Sequence, residues 1–248
     1  MARMTWPDPA GWAVLVVGAV VGSTVGGVAG FGTGLILLPL VGWTLGVRAV
    51  GPVLTITMLV GNLSRIWWSR GEIDVPVVAR FLIGAVPATA LGAAFYAGAR
   101  SEHLRLVIGG FLLASVVLRR VLMSGRFAIR LEYFPFIGAG FGVLSGMVVT
   151  TGPVVVPFFL AYGLRRGAFI ATEAVCATVM HLTRGIVFAR YALLTWEAVA
   201  IGVVLGGTMF AGSWFARQLL DRMSDRVFLA LVEALVVLLG LQFLLVSG

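Results

Sequence analysis

Two stretches of this chain carry no charged residue: 39 residues between Asp8 and Arg48, and 32 between Glu132 and Arg165. As continuous helices, at about 1.5 Å per residue, they would reach roughly 58 and 48 Å, against a bilayer hydrocarbon core of about 30 Å. Each must break or turn back. The break cannot be an ordinary loop, because non-helical backbone at membrane depth is tolerated only where it is buried in protein or lines a wet cavity. The remaining apolar stretches, at about 49–66, 76–98, 104–122, 168–188, 194–216 and 227–247, have single-span length.

Composition agrees. The chain of 248 residues is 60% hydrophobic and 11% charged, where a soluble domain carries about 25% charged residues. It reads as a multi-pass membrane protein of the cell inner (plasma) membrane, with the lipid bilayer as its solvent. No polar stretch of domain size is present to supply a soluble catalytic or DNA-binding module. The net charge of +8 comes from 18 arginines without a lysine. They are scattered singly or in pairs rather than gathered on one polar face, so they report topology and imply no nucleic acid. A single cysteine, Cys176, and two histidines without close partners give no basis for a disulfide, a metal site or a cofactor. The apolar run from Gly11 resembles a signal peptide, but the same segment recurs later in the chain, so it is expected to stay in the fold.

That recurrence is an internal repeat. Gly32-Thr33-Gly34 with Pro39 answers Thr150-Thr151-Gly152 with Pro157. Each follows a glycine ladder: Gly22, Gly26 and Gly30 in one half, Gly138, Gly142 and Gly146 in the other. Asn62-Leu63-Ser64-Arg65 answers His181-Leu182-Thr183-Arg184, and Gly92 answers Gly212, at offsets of 118 to 120. The expected organisation is an all-α, polytopic transmembrane protein: an N-terminal repeat (1–123), a basic cytoplasmic linker (124–132) and a C-terminal repeat (133–248). If each glycine-rich segment is a hairpin crossing twice, the halves have five crossings each and are inverted, and the arginines divide 12 cytoplasmic to 6 external. A single crossing gives parallel halves and at best 10 to 8. The positive-inside rule favours the inverted five-plus-five arrangement. Trp67 and Trp68, beside Arg65 and Arg70, fit an interfacial aromatic belt.

The paired features are the candidate site. A helix starting at each tip turns free N–H groups and its positive dipole end to the membrane interior, which suits a small anion. The expected anion ligands are Thr33, Gly34, Thr151 and Gly152, with Thr150 adjacent. Asn62 and His181 each precede an arginine by one helical turn, so each half presents an amide or imidazole beside a guanidinium, with Arg65 and Arg184 expected near opposite mouths. Glu173 and Glu233, acids within spans, are the candidates for coupling to protons or sodium. Ser145, in a glycine-flanked stretch, taken with His181, raises an intramembrane hydrolase. The spacing does not fit a nucleophile turn, and small-residue packing explains Ser145 better, so no catalytic residue is expected.

The glycine-rich runs Gly26 to Pro39 and Gly140 to Gly146, the latter continuing to Thr151-Gly152-Pro153 and Pro157, resemble those of the TauE/SafE sulfite exporter family. The likeness extends from about Gly11 to Leu245 and includes the duplication and the basic central linker. It implies a permease, not an enzyme, for a small anion such as sulfite, a sulfonate or a related sulfur oxyanion, working by alternating access. The sequence departs from the fuller Gly-Gly-Gly run of the family, having Gly32-Thr33-Gly34 and Thr150-Thr151-Gly152 instead, which bears on substrate identity. A passive anion channel is the main alternative, ahead of a non-transporting scaffold. A homodimer is compatible with the sequence.

Overall fold

A computed structural model describes residues 6–98, 129–147, 152–228, 230 and 231, which form helices and turns without a strand. The helices are α1 (Pro9–Ala29), α2 (Thr33–Leu45), α3 (Val47–Ser69), α4 (Val75–Gly98), α5 (Phe134–Met147), α6 (Gly152–Tyr162), α7 (Arg166–Arg190) and α8 (Trp196–Arg222), with 3-10 turns at Arg70–Glu72 and Leu131–Tyr133. Start signals are local. The Asp8 carboxylate accepts from Gly11 N at 2.7 Å with Pro9 in the first turn, and Thr195 Oγ1 accepts from Ala198 N. The expected span 104–122, most of 227–247 and of the linker, and Thr150, Thr151 and Glu233 lie outside the described residues.

Four described stretches are long and apolar enough to cross a membrane: Pro9–Ala29, Ala49–Glu72, Val75–Gly98 and Trp196–Arg222. The 25-residue α7 has the length but is less apolar, because Glu173, His181 and Arg184 sit among its buried residues. In the first glycine-rich segment one arm is short: α2 has 13 residues, or about 20 Å, against a core of about 30 Å. The arms of the second, α5 and α6, adjoin residues 148–151, which lie outside the described residues. α2 runs back along α1, with Thr44 near Gly11, Leu40 at Gly18 and Thr33 at Gly22 and Gly26. α6 runs back along α5, with Tyr162 stacked edge-on at Phe134 and Phe158 at Phe141.

The two glycine ladders do different jobs. In α5, a Cβ at Gly138, Gly142 or Gly146 would run into α4 backbone at Phe81, Ala85 and Thr89 to Ala93, so these glycines let α4 and α5 touch main chain to main chain. In α1, Gly22 and Gly26 admit α2, while Gly27 and Gly212 set the contact with α8.

Packing also crosses the sequence halves. α8 lies on α1 and α3, and one apolar core unites α1, α2, α3 and α8 through Leu15, Leu37, Leu54, Met58, Ile201 and Leu205. α4 lies on α5 and α7, with which it shares the second core around Phe81, Phe134, Phe159 and Phe169. α3 and α7 run antiparallel at the centre, Arg65 opposite Glu173 and Thr55 opposite Arg184. At the end of α3, Arg217 bridges Glu72 and Ser69, and Gly167 packs on Glu72. Arg166 pairs with Asp225 at the same end. Arg70, Arg165 and Arg222, at the ends of α3, α7 and α8, stand towards this end, while Arg190 stands at the other.

Candidate functional site

The site forms where the two broken segments meet. α1 stops because Gly30 and Gly32 take φ of +79° and +110°, left-handed values that L side chains avoid. α2 then starts with Gly32 as its N-cap and no side-chain hydrogen bond over the first turn, so the N–H groups of Thr33 and Gly34 stay outside the helical ladder. α6 begins at Gly152, which packs on Phe31 and Gly30. The start of α2 and Gly152, the first described residue of α6, border one cavity of about 50 Å³, room for about four waters. Its polar wall includes Asn62, Arg65, Ser145, Glu173 and His181, and Met58 and Met180 supply apolar wall.

Each arginine is tied in the same way. Arg65 donates to the carbonyls of Gly26 (3.4 Å) and Gly30 (3.1 Å) and to Asn62 Oδ1. Arg184 donates to Ser145 O (2.9 Å) and Thr55 Oγ1 (3.0 Å) and lies 3.0 Å from His181 Nδ1. Gly26 and Ser145 are 119 positions apart, as are Asn62 and His181 and the arginines themselves. A guanidinium has no acceptor. Its contact therefore makes His181 Nδ1 an acceptor and leaves the proton of the neutral ring on Nε2. By the same logic Arg65 fixes Asn62 with Oδ1 towards itself. Asn62 Nδ2 is left as a buried donor without a partner, on a side chain of which 2% is exposed.

The two arginines differ in charge balance. Arg65 Nη1 is 2.9 Å from Glu173 Oε2, an ion pair by distance, yet its N–H bonds aim at main-chain carbonyls and Oε2 receives no hydrogen bond. Arg184 is 1% exposed and has only neutral partners among the described residues. Among the described residues, one carboxylate thus stands against two buried guanidinium groups, an excess of positive charge.

The structure brings Thr33, Gly34, Asn62, Arg65, Gly152, His181 and Glu173 to one cavity. Two expectations are corrected. Arg184 is not at a mouth: it is buried behind His181 and does not line the cavity. Thr33 lines it, but its hydroxyl donates to Gly22 O at 2.8 Å and so fastens α2 to α1 instead of offering a hydrogen to a ligand. No hydrogen bond joins Ser145 Oγ to His181 among the described contacts, and His181 Nδ1 already faces Arg184. Sequence reasoning missed Thr55 and the role of the Ser145 carbonyl. The 119-residue offset pairs Ser145 with Gly26, and it is the signal that could have found the latter.

Helices long enough to span a bilayer, with buried polar groups and an excess of described positive charge around a small cavity, define a polytopic membrane protein with an anion-compatible interior. The chain belongs to the sulfite exporter TauE/SafE family, whose profile matches residues 14–243. With that family it is a membrane transporter for sulfur anions. Neither a curated relative nor a solved structure matches the chain.

Proposed function

We propose that this protein is a secondary transporter that carries sulfite or a sulfonate across the plasma membrane by alternating access, with its arginine-rich end in the cytoplasm. The observation that carries the site is Asn62 Nδ2, a buried amide donor without a partner among the described residues, in the wall of a cavity bordered by the N-terminus of α2 and by Gly152. The anion accepts from Asn62 Nδ2, His181 Nε2 and the N–H groups at Thr33, Gly34 and Gly152. Arg65 supplies charge directly. Arg184 supplies it from behind while holding the His181 ring. Donors without free acceptors, apart from Glu173, suit an oxyanion with several unprotonated oxygens.

The architecture proposed with it is a pair of inverted repeats, 1–123 and 133–248, joined by the linker 124–132. Antiparallel α3 and α7, and the matched tethers of Arg65 and Arg184, support a two-fold axis in the membrane plane. The moving bodies are then not the repeats themselves. The two cores support taking them as α1, α2, α3 and α8 on one side and α4 to α7 on the other.

Calorimetric titration of purified protein with sulfite, methanesulfonate, sulfate and acetate tests the site. Asn62→Asp, nearly isosteric, replaces the free donor by a carboxylate oxygen and should weaken sulfite or methanesulfonate binding at least tenfold, in line with about 1.5–3 kcal/mol for a charge-assisted hydrogen bond. Unchanged affinity would remove Asn62 from the site. In liposomes, internal unlabelled anion should accelerate entry of labelled anion, as a carrier requires. Flux that follows the gradient alone and does not saturate would identify a channel.

A further inference from the structure

The anion site as proposed leaves one group unused: Glu173. It lines the cavity, is 6% exposed, and its Oε2 receives no hydrogen bond although Arg65 stands beside it. A buried carboxylate is stable in such a place when a cation balances it and hydrogen bonds satisfy its oxygens. Here the cation is present and the hydrogen bonds to one oxygen are not. The N–H bonds of Arg65 go to Gly26, Gly30 and Asn62, so Glu173 is held by charge alone at that oxygen.

An anion that accepts from Asn62 and His181 shares its cavity with this carboxylate, which lines the same wall. Two negative charges then share Arg65. Like charges close together repel strongly inside a protein, and a proton on Glu173 removes the repulsion and leaves the charge of Arg65 to the anion alone. The sign of the linkage follows from the charges: proton and anion favour each other's binding. Among the described residues, the other charged or titratable groups near Glu173 are Arg65 on α3, Cys176 and His181 on its own helix, and Asp74, whose N–H donates to Thr172 while its carboxylate accepts from Val77 N. The α1–α2 tip and the start of α6 bring none to the cavity. Arg184 favours the anion in either protonation state of Glu173, so it does not change the sign. Sodium would need several oxygen ligands free of other partners, whereas the carbonyls of Gly26 and Gly30 are taken by Arg65.

Resting on the anion site above, we propose that Glu173 is a proton-binding site coupled to the anion, and that the transporter carries one proton with each anion. In each cycle a proton from water forms an O–H bond on the Glu173 carboxyl on one side, and that bond breaks to water on the other as the anion leaves. With a singly charged sulfonate the cycle moves no net charge. Flux should then follow the pH gradient, unaffected by membrane potential, and run inward when the outside is acid.

The test uses the full-length protein. Calorimetry of methanesulfonate binding in two buffers of different ionisation enthalpy should give uptake of close to one proton per anion. The dissociation constant should rise up to tenfold per pH unit over the range in which the free carboxyl is ionised and the anion-bound one is not. In liposomes loaded with a pH dye, methanesulfonate entry should acidify the lumen, with or without valinomycin and potassium, and in choline as well as sodium medium. Glu173→Gln should bind the anion with pH-independent affinity, take up no proton and fail to accumulate anion against its gradient. His181→Gln should still take up the proton, even if it binds more weakly. Methanesulfonate or sulfite that binds and exchanges without proton uptake overturns this coupling and leaves the transporter assignment standing. Proton uptake that persists in Glu173→Gln, or is lost only in His181→Gln, overturns the assignment to Glu173. Failure of every anion to bind or cross removes the transporter site, and the coupling with it. The wild-type stoichiometry decides between coupled and uncoupled transport even if Glu173→Gln does not fold.

Discussion

Thr33 shows how a residue can stand in a site and serve the fold. Its hydroxyl donates across eleven residues to Gly22 O, a second bond to a carbonyl that already serves the α1 ladder. Thr33→Val should therefore lower stability by about 0.5–1.5 kcal/mol, the net contribution of one hydrogen bond, and Thr33→Ser should restore most of it. The check is thermal unfolding in detergent, with anion affinity measured alongside. A Thr33→Val protein of unchanged stability with greatly weakened binding would return the hydroxyl to the ligand. Spacing in the sequence was enough to pair Asn62 with Arg65 and His181 with Arg184, because three residues on a helix put side chains on one face. It did not reveal which way the amide and ring are turned. That depends on Gly26, Gly30, Thr55 and Ser145, brought in by other helices. Arg184 was misplaced for the same reason: its position near a helix end suggests an interface, and only tertiary packing shows the burial.

At the scale of the helix, the ladders make opposite predictions for neighbouring glycines. A methyl on Gly138 would meet the Phe81 carbonyl, which belongs to main chain and cannot rotate away, so Gly138→Ala should push α5 off α4. The expected loss is about 1–3 kcal/mol, as for other overpacked contacts. Gly140, two residues on, has open space around its Cβ position. Gly140→Ala should be neutral or stabilising by up to about 1 kcal/mol, through helix propensity alone. Unfolding temperatures of the two variants, compared in one detergent, test the difference, and equal behaviour would mean that α4 and α5 are not in main-chain contact. The small-xxx-small pattern identified close-packing helices from the sequence, yet it could not name the partners. Gly22 and Gly26 look like Gly138 and Gly142 on paper, and they admit a different kind of neighbour, the returning arm of their own segment. Whether those arms cross the bilayer was equally hidden, since absence of charge sets a maximum length for an apolar run and not the place where its helix stops.

For the whole molecule, the exchange of α4 and α8 between the halves matters most. The motif pairs in the sequence suggest a duplication, the basis of the proposed repeats. Packing joins the halves: α8 lies on α1 and α3 in one core, and α4 lies on α5 and α7 in the other. Residues 1–123 and 124–248 produced separately should each fail to give a monodisperse species in size-exclusion chromatography, and produced together they should give one complex that binds the anion. A separately stable half would show that the exchanged helix is dispensable. Ends of helices offer a topological check with single added cysteines. Positions 71 and 225 should react with an impermeant maleimide from one side, and positions 46 and 193 from the other. The native Cys176, being buried, should stay silent. The exchange also imposes a timetable on synthesis. Ser64 on α3 must wait 149 residues for Ser213, its partner on α8. Until the ribosome has delivered that last described span, the face of α3 that carries Ser64 and Gly61 is turned to lipid or to the insertion machinery. A nascent chain arrested before Trp196 would be a membrane-inserted intermediate with one polar seam still open.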